Sequence, residues 1–392
     1  MKEIVIAGAT RTAIGDFGGG LRSVFPLNLA QHVIGDVIRR SNARFEWIDK
    51  VIFGCDFSPL DQNITRDAAY KAGIPQEIPA FTINSTCGAS LQAIISAFQS
   101  IWCGETDLIL AGGVESMSNA PYIMASARWG QRLRHAEVSD LLWKGMQEPN
   151  IGVGMGLTAE NLAEKHQISR QEQDAFALLS HQRAAKAFRE GKFQDEITPV
   201  TIPGRKGEFV VFETDEHVRP DTTIESLANL PPIFKKGGTV TAGNACSMND
   251  GAAAVILTHR ERALELGLKP LATIKAYHVA GVDPNFMGIG PVPAINSALK
   301  KAKLTLADID RFEINEAFAA QYLACERELN LDREKVNVHG NGIALGHPVG
   351  ATGCRLVVTL LYGMMADHLG LGVASLCAGG GMGFALILER SA

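Results

Sequence analysis

The chain has 392 residues, enough for two or three structural units or one internally duplicated pair, and too many for a small stapled module. Its 37 Lys and Arg against 42 Asp and Glu give a net charge of −5, which excludes a global cationic field for nucleic acid or an anionic membrane; an anionic substrate must meet local donors. Forty glycines, about 10% against a usual share of roughly 7%, point to close backbone approaches, while charged residues stand at only 20%.

In chain order, the first element is a strand-length apolar run in MKEIVIAGATRTAIG, carrying Glu3 and Arg11. It is too short for a signal-peptide core and too poor in arginine for a transit peptide, so the mature chain is expected to start here. Seven cysteines without CxxC spacing fit a reducing, cytoplasmic compartment better than a disulfide framework or a metal site.

Further strand-like runs (KVIFG, LILAGG, AAAVILT, ASLCAGG, GFALILE) alternate with helical patterns, which predicts α/β layers with helices packed on sheets. The uncharged stretch Leu369 to Leu388 is broken by glycines and reads as two buried strands around a turn rather than as a membrane span. Residues 128–236 hold 31 charged side chains in 109 positions, against 48 in the other 283, so the middle reads as a solvated insertion. Within it, Ser169 and Glu172 form a capping box that starts an amphipathic helix running to Gly191. LILAGGVESMS at 108–118 parallels ASLCAGGGMGF at 374–384, and WIDKVIFG near 47 parallels DIDRFEINEAF near 308, at offsets of 261 to 267. An ancient duplication is expected, with a first repeat at 1–117 plus 238–268, an insertion at 118–237 and a second repeat at 269–392.

Four segments can carry chemistry. NSTCGAS puts Cys87 before a helical pattern, where free N–H groups and the helix dipole should lower its thiol pKa; a buried packing cysteine is the ordinary alternative. GIALGHPVGATG holds His347 in a rigid glycine-rich turn, where it could take a thiol proton or simply be a turn residue. CAGGGMG sets Cys377 at a strand end with Gly379 to Gly381 able to aim N–H groups at an oxyanion, or merely to close a hairpin. EINEAFAA offers Asn315 at a strand-to-helix transition, for a water, an oxyanion or an ordinary cap.

Together with GTVTAGNACSMNDGAAAV, these segments resemble the thiolase superfamily in order and spacing, and the resemblance runs from residue 3 to 388. It implies a duplicated five-layered α-β-α-β-α fold with an inserted loop domain that binds CoA. It also implies an acetyl-CoA C-acyltransferase that makes or breaks a carbon–carbon bond by Claisen chemistry through an acyl-cysteine, with CoA thioesters as substrates and neither cofactor nor metal required. Cys87 matches the acylated nucleophile, His347 its base, Cys377 the acid/base at the α-carbon, and Asn315 the holder of a water for the enolate oxygen. The N–H groups of Cys87 and Gly379 match a second oxyanion hole. Arg219, Ser226 and Phe234 match positions around adenine and pantetheine; Ala242, Met248, Ala317 and Phe318 match lining positions, and Met155 and Met287 lie close to the acyl group.

Three departures stand out. Gly154 replaces a histidine frequent in the biosynthetic type, which predicts a roomier pocket; Cys246 replaces a common serine; His339 and Asn341 alter the lead into the histidine turn. MGLTAEN and VRPDTT look more like degradative 3-ketoacyl-CoA thiolases. DQNITRDAAYKAG resembles an interface region, so a homodimer or homotetramer is expected, with acetyl-CoA, acyl-CoA and free CoA as partners and neither nucleic acid nor membrane. Two alternatives are a related condensing synthase, against which Cys377 speaks, and a noncatalytic acyl-CoA-binding or scaffold subunit of a β-oxidation complex.

Overall fold

The computed structural model describes residues 3–58, 60–131, 133, 135–148, 151–204 and 207–391. Its frame is a mixed sheet of β1 (Ile4–Thr12), β2 (Lys50–Gly54), β3 (Ala80–Ile83), β4 (Leu108–Ser116), β5 (Asn249–His259), β6 (Ala272–Gly281), β7 (Arg311–Ile314), β8 (Leu371–Ala378) and β9 (Met382–Arg390). These run in the order β7-β8-β9-β6-β1-β5-β4-β2-β3. Apart from the edge strand β3, the order is symmetric about the β1–β6 seam. On one side β5 lies antiparallel between β1 and β4, and β4 is parallel to β2. On the other, β9 lies antiparallel between β6 and β8, and β8 is parallel to β7. The seam itself carries two residue pairs, Val5 with Thr273 and Ile6 with Ala272. The paired sequence segments fall on equivalent strands, 108–118 with 374–384 on β4 and β8, and those near 47 and 308 on β2 and β7.

The strands read as near-continuous apolar runs because both faces are covered. Alternate residues of β4 show this: Leu108, Leu110 and Val114 face an outer helix layer, and Ile109 and Ala111 face a central one. The outer layer of the first half is α1 (Pro26–Ser41) with α2 (Ile64–Ala72), whose Val33, Val37 and Ala68 pack with Val51 and Phe53. The central layer is α3 (Ala89–Trp102) against an equivalent helix, Thr352–Ala366, with Leu91 and Ile94 meeting Val357, Leu360 and strand residues of both halves. On the far side, helices Pro291–Ala302 and Ala319–Leu329 cover β7 and β9 through Ile295, Leu299, Leu323, Phe312 and Ile387. Five layers, α-β-α-β-α, result, as expected.

The insertion contributes α4 (Met155–Lys165), α5 (Arg170–Arg189) and α6 (Ile224–Ala228). The capping box at Ser169 and Glu172 is present, and Phe176 of α5 stacks on Tyr322 at 4.2 Å. In chain order the longer helices of the second half are α7 (Pro291–Ala302), α8 (Ala319–Leu329) and α9 (Thr352–Ala366).

Most of the insertion's described charges are exposed, as expected, but a few are not. Glu148, Glu160, Asp174, Glu196 and Asp215 are all buried. Arg11, far from flanking β1, lies inside it and is fully buried, donating to Glu196 at 2.6 Å and to Asp215 at 2.7 Å. Asp215 also accepts the Ile14 N–H at 2.7 Å, and Glu160 accepts those of Thr239 and Val240, both at 2.8 Å. These few are partnered carboxylates, as a buried charge persists only when partnered.

Among the described residues no helix is long and apolar enough to cross a membrane; Leu369 to Leu388 forms most of β8 and β9, turned by Gly380 and Gly381 at positive φ. Gly88 shows the close approach that the composition implied. A Cβ there would sit 2.2 Å from the ring of Phe384, itself buried in β9. Gly88→Ala should therefore lower stability by about 1–3 kcal/mol through overpacking. Thermal unfolding at the wild-type temperature would contradict that contact.

Candidate active site

Cys87 lies on the turn between β3 and α3, with Gly88 as the N-cap residue and Ala89 the first helical residue. Thr86, just before it, holds φ at +49°, a left-handed conformation costly for a β-branched residue and one that clusters at functional turns. Its hydroxyl reaches the carbonyls of Ser85 at 2.8 Å and Gly379 at 3.3 Å, so the nucleophile turn is tied to the CAGGG turn between β8 and β9. The N–H groups of Gly379 and of Cys87 itself both favour the ionised sulfur.

The expected lowering of the Cys87 thiol pKa is not what this geometry produces. Cys87 keeps part of its surface open, yet the surrounding protein and the Asp56 carboxylate push the thiol up to about 12, against the two N–H groups. The helix starts two residues too late for its dipole to dominate. At neutral pH the sulfur is a thiol, and a base must take its proton.

His347 supplies one. Its Nδ1 lies 2.6 Å from the hydroxyl oxygen of Thr352, and that hydroxyl donates to the Pro348 carbonyl at 2.8 Å. Thr352 can then only accept from the ring, which puts the proton on Nδ1 and leaves Nε2 with a free lone pair. Nε2 is buried and has no hydrogen-bond partner among the described residues. Burial, with the Arg355 charge second, brings the imidazole down to about 3, so it is neutral at physiological pH. Asn249 fixes the main chain, accepting the His347 N–H at 2.8 Å while donating to the Gly15 carbonyl at 3.0 Å.

Cys377, at the end of β8, is 1% exposed. Burial and the nearby sulfurs of Cys87, Cys325 and Cys246 hold its thiol well above the usual range. Asn315, fully buried after β7, has both side-chain amide atoms unpartnered among the described residues. An amide with donor and acceptor unused in a buried polar site is suited to hold a water. A Cβ on Gly342 would lie 2.7 Å from its Oδ1, which places this amide against the lead into the histidine turn. The four segments thus converge where the two halves of the fold meet.

The pocket residues divide. Met155 opens α4, and its methyl would lie 3.2 Å from a Cβ on Gly379, so it closes over that turn. Met248 pairs in a backbone bridge with His347, Ala317 accepts the Cys246 N–H at 3.0 Å, and Phe318 meets Phe234 edge to face at 6.0 Å. Phe234 also seals against Gly156. Met287 is enclosed in the core, beside Gly288, whose carbonyl accepts from Cys325. Arg219 and Ala242 are exposed, with the Arg219 N–H donating to His181 Nδ1 at 3.3 Å. The exposed Ser226 hydroxyl closes the cap of α6, donating to the Thr223 carbonyl at 2.8 Å.

Two family models match the chain, the thiolase N-terminal domain over residues 4–261 and the thiolase C-terminal domain over 268–390. The chain belongs to the thiolase family. It is 50% identical to an acetyl-CoA acetyltransferase of Syntrophomonas wolfei, over 99% of each chain. The solved acetyl-CoA acetyltransferase of Bacillus anthracis superposes with a TM-score of 0.98 at 49% identity, covering all of this chain and 99% of that one. The human mitochondrial 3-ketoacyl-CoA thiolase solved in complex with CoA gives 0.96 at 42% identity, covering all of this chain and 98% of that one.

Several residues around this thiolase site escaped the sequence reading. Thr352, which sets the histidine tautomer, is one of many threonines, and nothing local marks it. Asn249 precedes the long apolar run of β5, where a polar residue next to a buried strand was a usable signal. Glu115, charged inside the otherwise apolar β4, was a clearer one. Glu148 accepts the Gly380 N–H at 2.7 Å from 232 residues away, a contact that no spacing announces.

Proposed function

We propose that this thiolase catalyses reversible thiolysis of 3-ketoacyl-CoA, and the reverse Claisen condensation of acetyl-CoA with acyl-CoA, through acyl-Cys87. The carrying observation is the buried, neutral, tautomer-fixed His347, whose Nε2 lone pair is open in the region that also holds a protonated Cys87. In thiolysis, His347 takes the Cys87 proton and the sulfur attacks the 3-keto carbon, whose oxygen is met by the Cys87 and Gly379 N–H groups. The carbon–carbon bond breaks, and the electron pair passes to the α-carbon of the leaving acetyl-CoA. Its enolate oxygen is held by the protonated His347 and a water on Asn315. Cys377 then gives its proton to that carbon; a thiol held well above its ordinary pKa rests as the acid, as this step requires.

Free CoA next enters and gives its thiol proton to the Cys377 thiolate. The CoA sulfur takes the acyl group, and Cys87 leaves and recovers its proton from His347. Atoms and charges balance, and every step reverses for condensation. The intact acid and base set favours this reading over a noncatalytic binding subunit.

The exposed surface carrying Arg219, Ser226, Phe234 and Ala242 suits CoA, with a cation for phosphate and an aromatic edge, and Met155, Met248, Met287, Ala317 and Phe318 would line the way to the acyl end. The insertion 118–237 would then be the CoA-binding loop domain between repeats 1–117 plus 238–268 and 269–392. The preferred substrate is acetoacetyl-CoA, with room for longer chains where Gly154 stands. A cytoplasmic homodimer or homotetramer fits seven free cysteines and the exposed apolar side chains Phe25, Leu60 and Tyr70 in and beside residues 61–73. Brief incubation with labelled acetyl-CoA should place one acetyl group on Cys87, and the protein should thiolyse acetoacetyl-CoA. Label on another cysteine, or none, would overturn the assignment.

A further inference from the structure

Glu115 is 0% exposed and stands in the middle of the fold, near the end of β4. Its carboxylate accepts three main-chain N–H groups from two loops. Phe57 donates to Oε1 at 3.1 Å, and Asp56 to Oε2 at 3.0 Å, both from the loop after β2. Gly350, three residues past His347, donates to Oε2 at 2.9 Å. Gly350 needs to be glycine, since a Cβ would lie 2.8 Å from that oxygen. The Cys55 thiol adds a weak contact to Oε1 at 3.7 Å.

The first loop leads on to the nucleophile. Asp56 Oδ1 accepts from Asn84 Nδ2 at 2.8 Å, and Asn84 Oδ1 accepts the Thr86 N–H at 3.2 Å, next to Cys87 and at the strained φ of +49°. One carboxylate therefore holds the histidine turn directly and the cysteine turn through Asp56 and Asn84. These turns come from opposite halves of the fold; among the described residues no strand ladder joins them, and farther along, Ser90 Oγ accepts the Cys354 N–H at 2.9 Å between the helices that follow them.

We propose that Glu115 is the positioning residue that sets the separation of Cys87 from His347, its carboxylate holding both turns in one hydrogen-bonded frame. The inference rests on the thiolase reading of those two residues. Asp56, Cys55 and Cys87 are the titratable groups that face it. Burial, with the Asp56 charge second, raises Glu115, while the three N–H donors, spread over both of its oxygens, favour the ionised form. Glutamine is the informative replacement. Its amide oxygen can keep the donors on one side, while its NH₂ must confront an N–H on the other.

The test is the acylation half-reaction with acetyl-CoA, together with iodoacetamide alkylation of Cys87, in full-length wild type, E115Q, H347A and the E115Q/H347A double variant. Acylation by E115Q should fall by roughly 10²-fold, the cost of misplacing a reacting pair by about 1 Å, while KM for acetyl-CoA stays within about threefold. The decisive readout is coupling: the factor by which H347A slows alkylation in wild type should collapse toward one in the E115Q background. A scaffold role alone would leave that factor intact, and such a result overturns the proposal. Should E115Q fold poorly, Asn84→Ala decides. It changes an exposed side chain, cuts the frame on the Cys87 side, and should slow acylation about tenfold or more; a wild-type rate would again overturn the proposal. Wild type that takes no acetyl group on Cys87 would remove the thiolase reading itself, a separate outcome.

Discussion

Cys377→Ala should separate the two halves of the reaction. Incubated with acetyl-CoA, the variant should still take an acetyl group on Cys87 within about threefold of the wild-type rate, because His347 and the Cys87 and Gly379 N–H groups are untouched. Thiolysis of acetoacetyl-CoA should fall by roughly 10²–10⁴-fold, the usual worth of a positioned general acid. Of the neighbouring thiols, Cys325 is already engaged with the Gly288 carbonyl at 3.2 Å. Intact-mass measurement after acetyl-CoA, beside the decay of acetoacetyl-CoA absorbance, reads both halves. Wild-type thiolysis by the variant would refute the acid role of Cys377, and loss of acylation would move that residue into the first half-reaction.

His347→Ala should slow both half-reactions, each by roughly 10²–10⁴-fold, since the same Nε2 takes the Cys87 proton and returns it. The pH profile gives a sharper test in the unmodified protein. An imidazole at its ordinary pKa of about 6.5 would lose roughly tenfold of its neutral form between pH 7.5 and 5.5. His347, brought down to about 3 by burial, stays neutral throughout that interval. The direction follows from the sign of the shift: a depressed histidine pKa extends the base form to lower pH. Single-turnover acylation should therefore change by less than about threefold from pH 7.5 to 5.5, with stability checked at each pH. A tenfold fall tracking a group near 6.5 would show that His347 is not held neutral.

Much of the fold was legible because its physical signals are local. Apolar strand runs, the box at Ser169 and Glu172, and helical spacing after Cys87 depend on neighbours within a few residues, and each element formed where expected. The duplication was legible because two strand pairs kept similar residues. The few buried charges of the insertion were not legible, for the opposite reason. Charge density is a local property, whereas the burial of Glu196 and Asp215 depends on Arg11, about 200 residues away in β1.

The Cys87 thiol shows the same limit. Its place before a helix argues for a lowered pKa, and the dipole argument is sound for a residue inside the first turn. Burial, with the carboxylates of Asp56 and Glu115 adding to it, reverses the sign, and neither carboxylate is adjacent in sequence.

By itself, then, the sequence determined the layered α/β class, the paired strands and the glycine-rich turns, which follow from residue type and short spacing, while Cys87, His347 and Cys377 stood out as candidate reactive groups through the family resemblance of their segments. Tertiary structure alone decided protonation. The neutral His347 with its proton on Nδ1, the un-ionised thiols of Cys87 and Cys377, and the carboxylate of Glu115 bridging the two catalytic turns each depend on desolvation and on hydrogen-bond partners brought from distant parts of the chain.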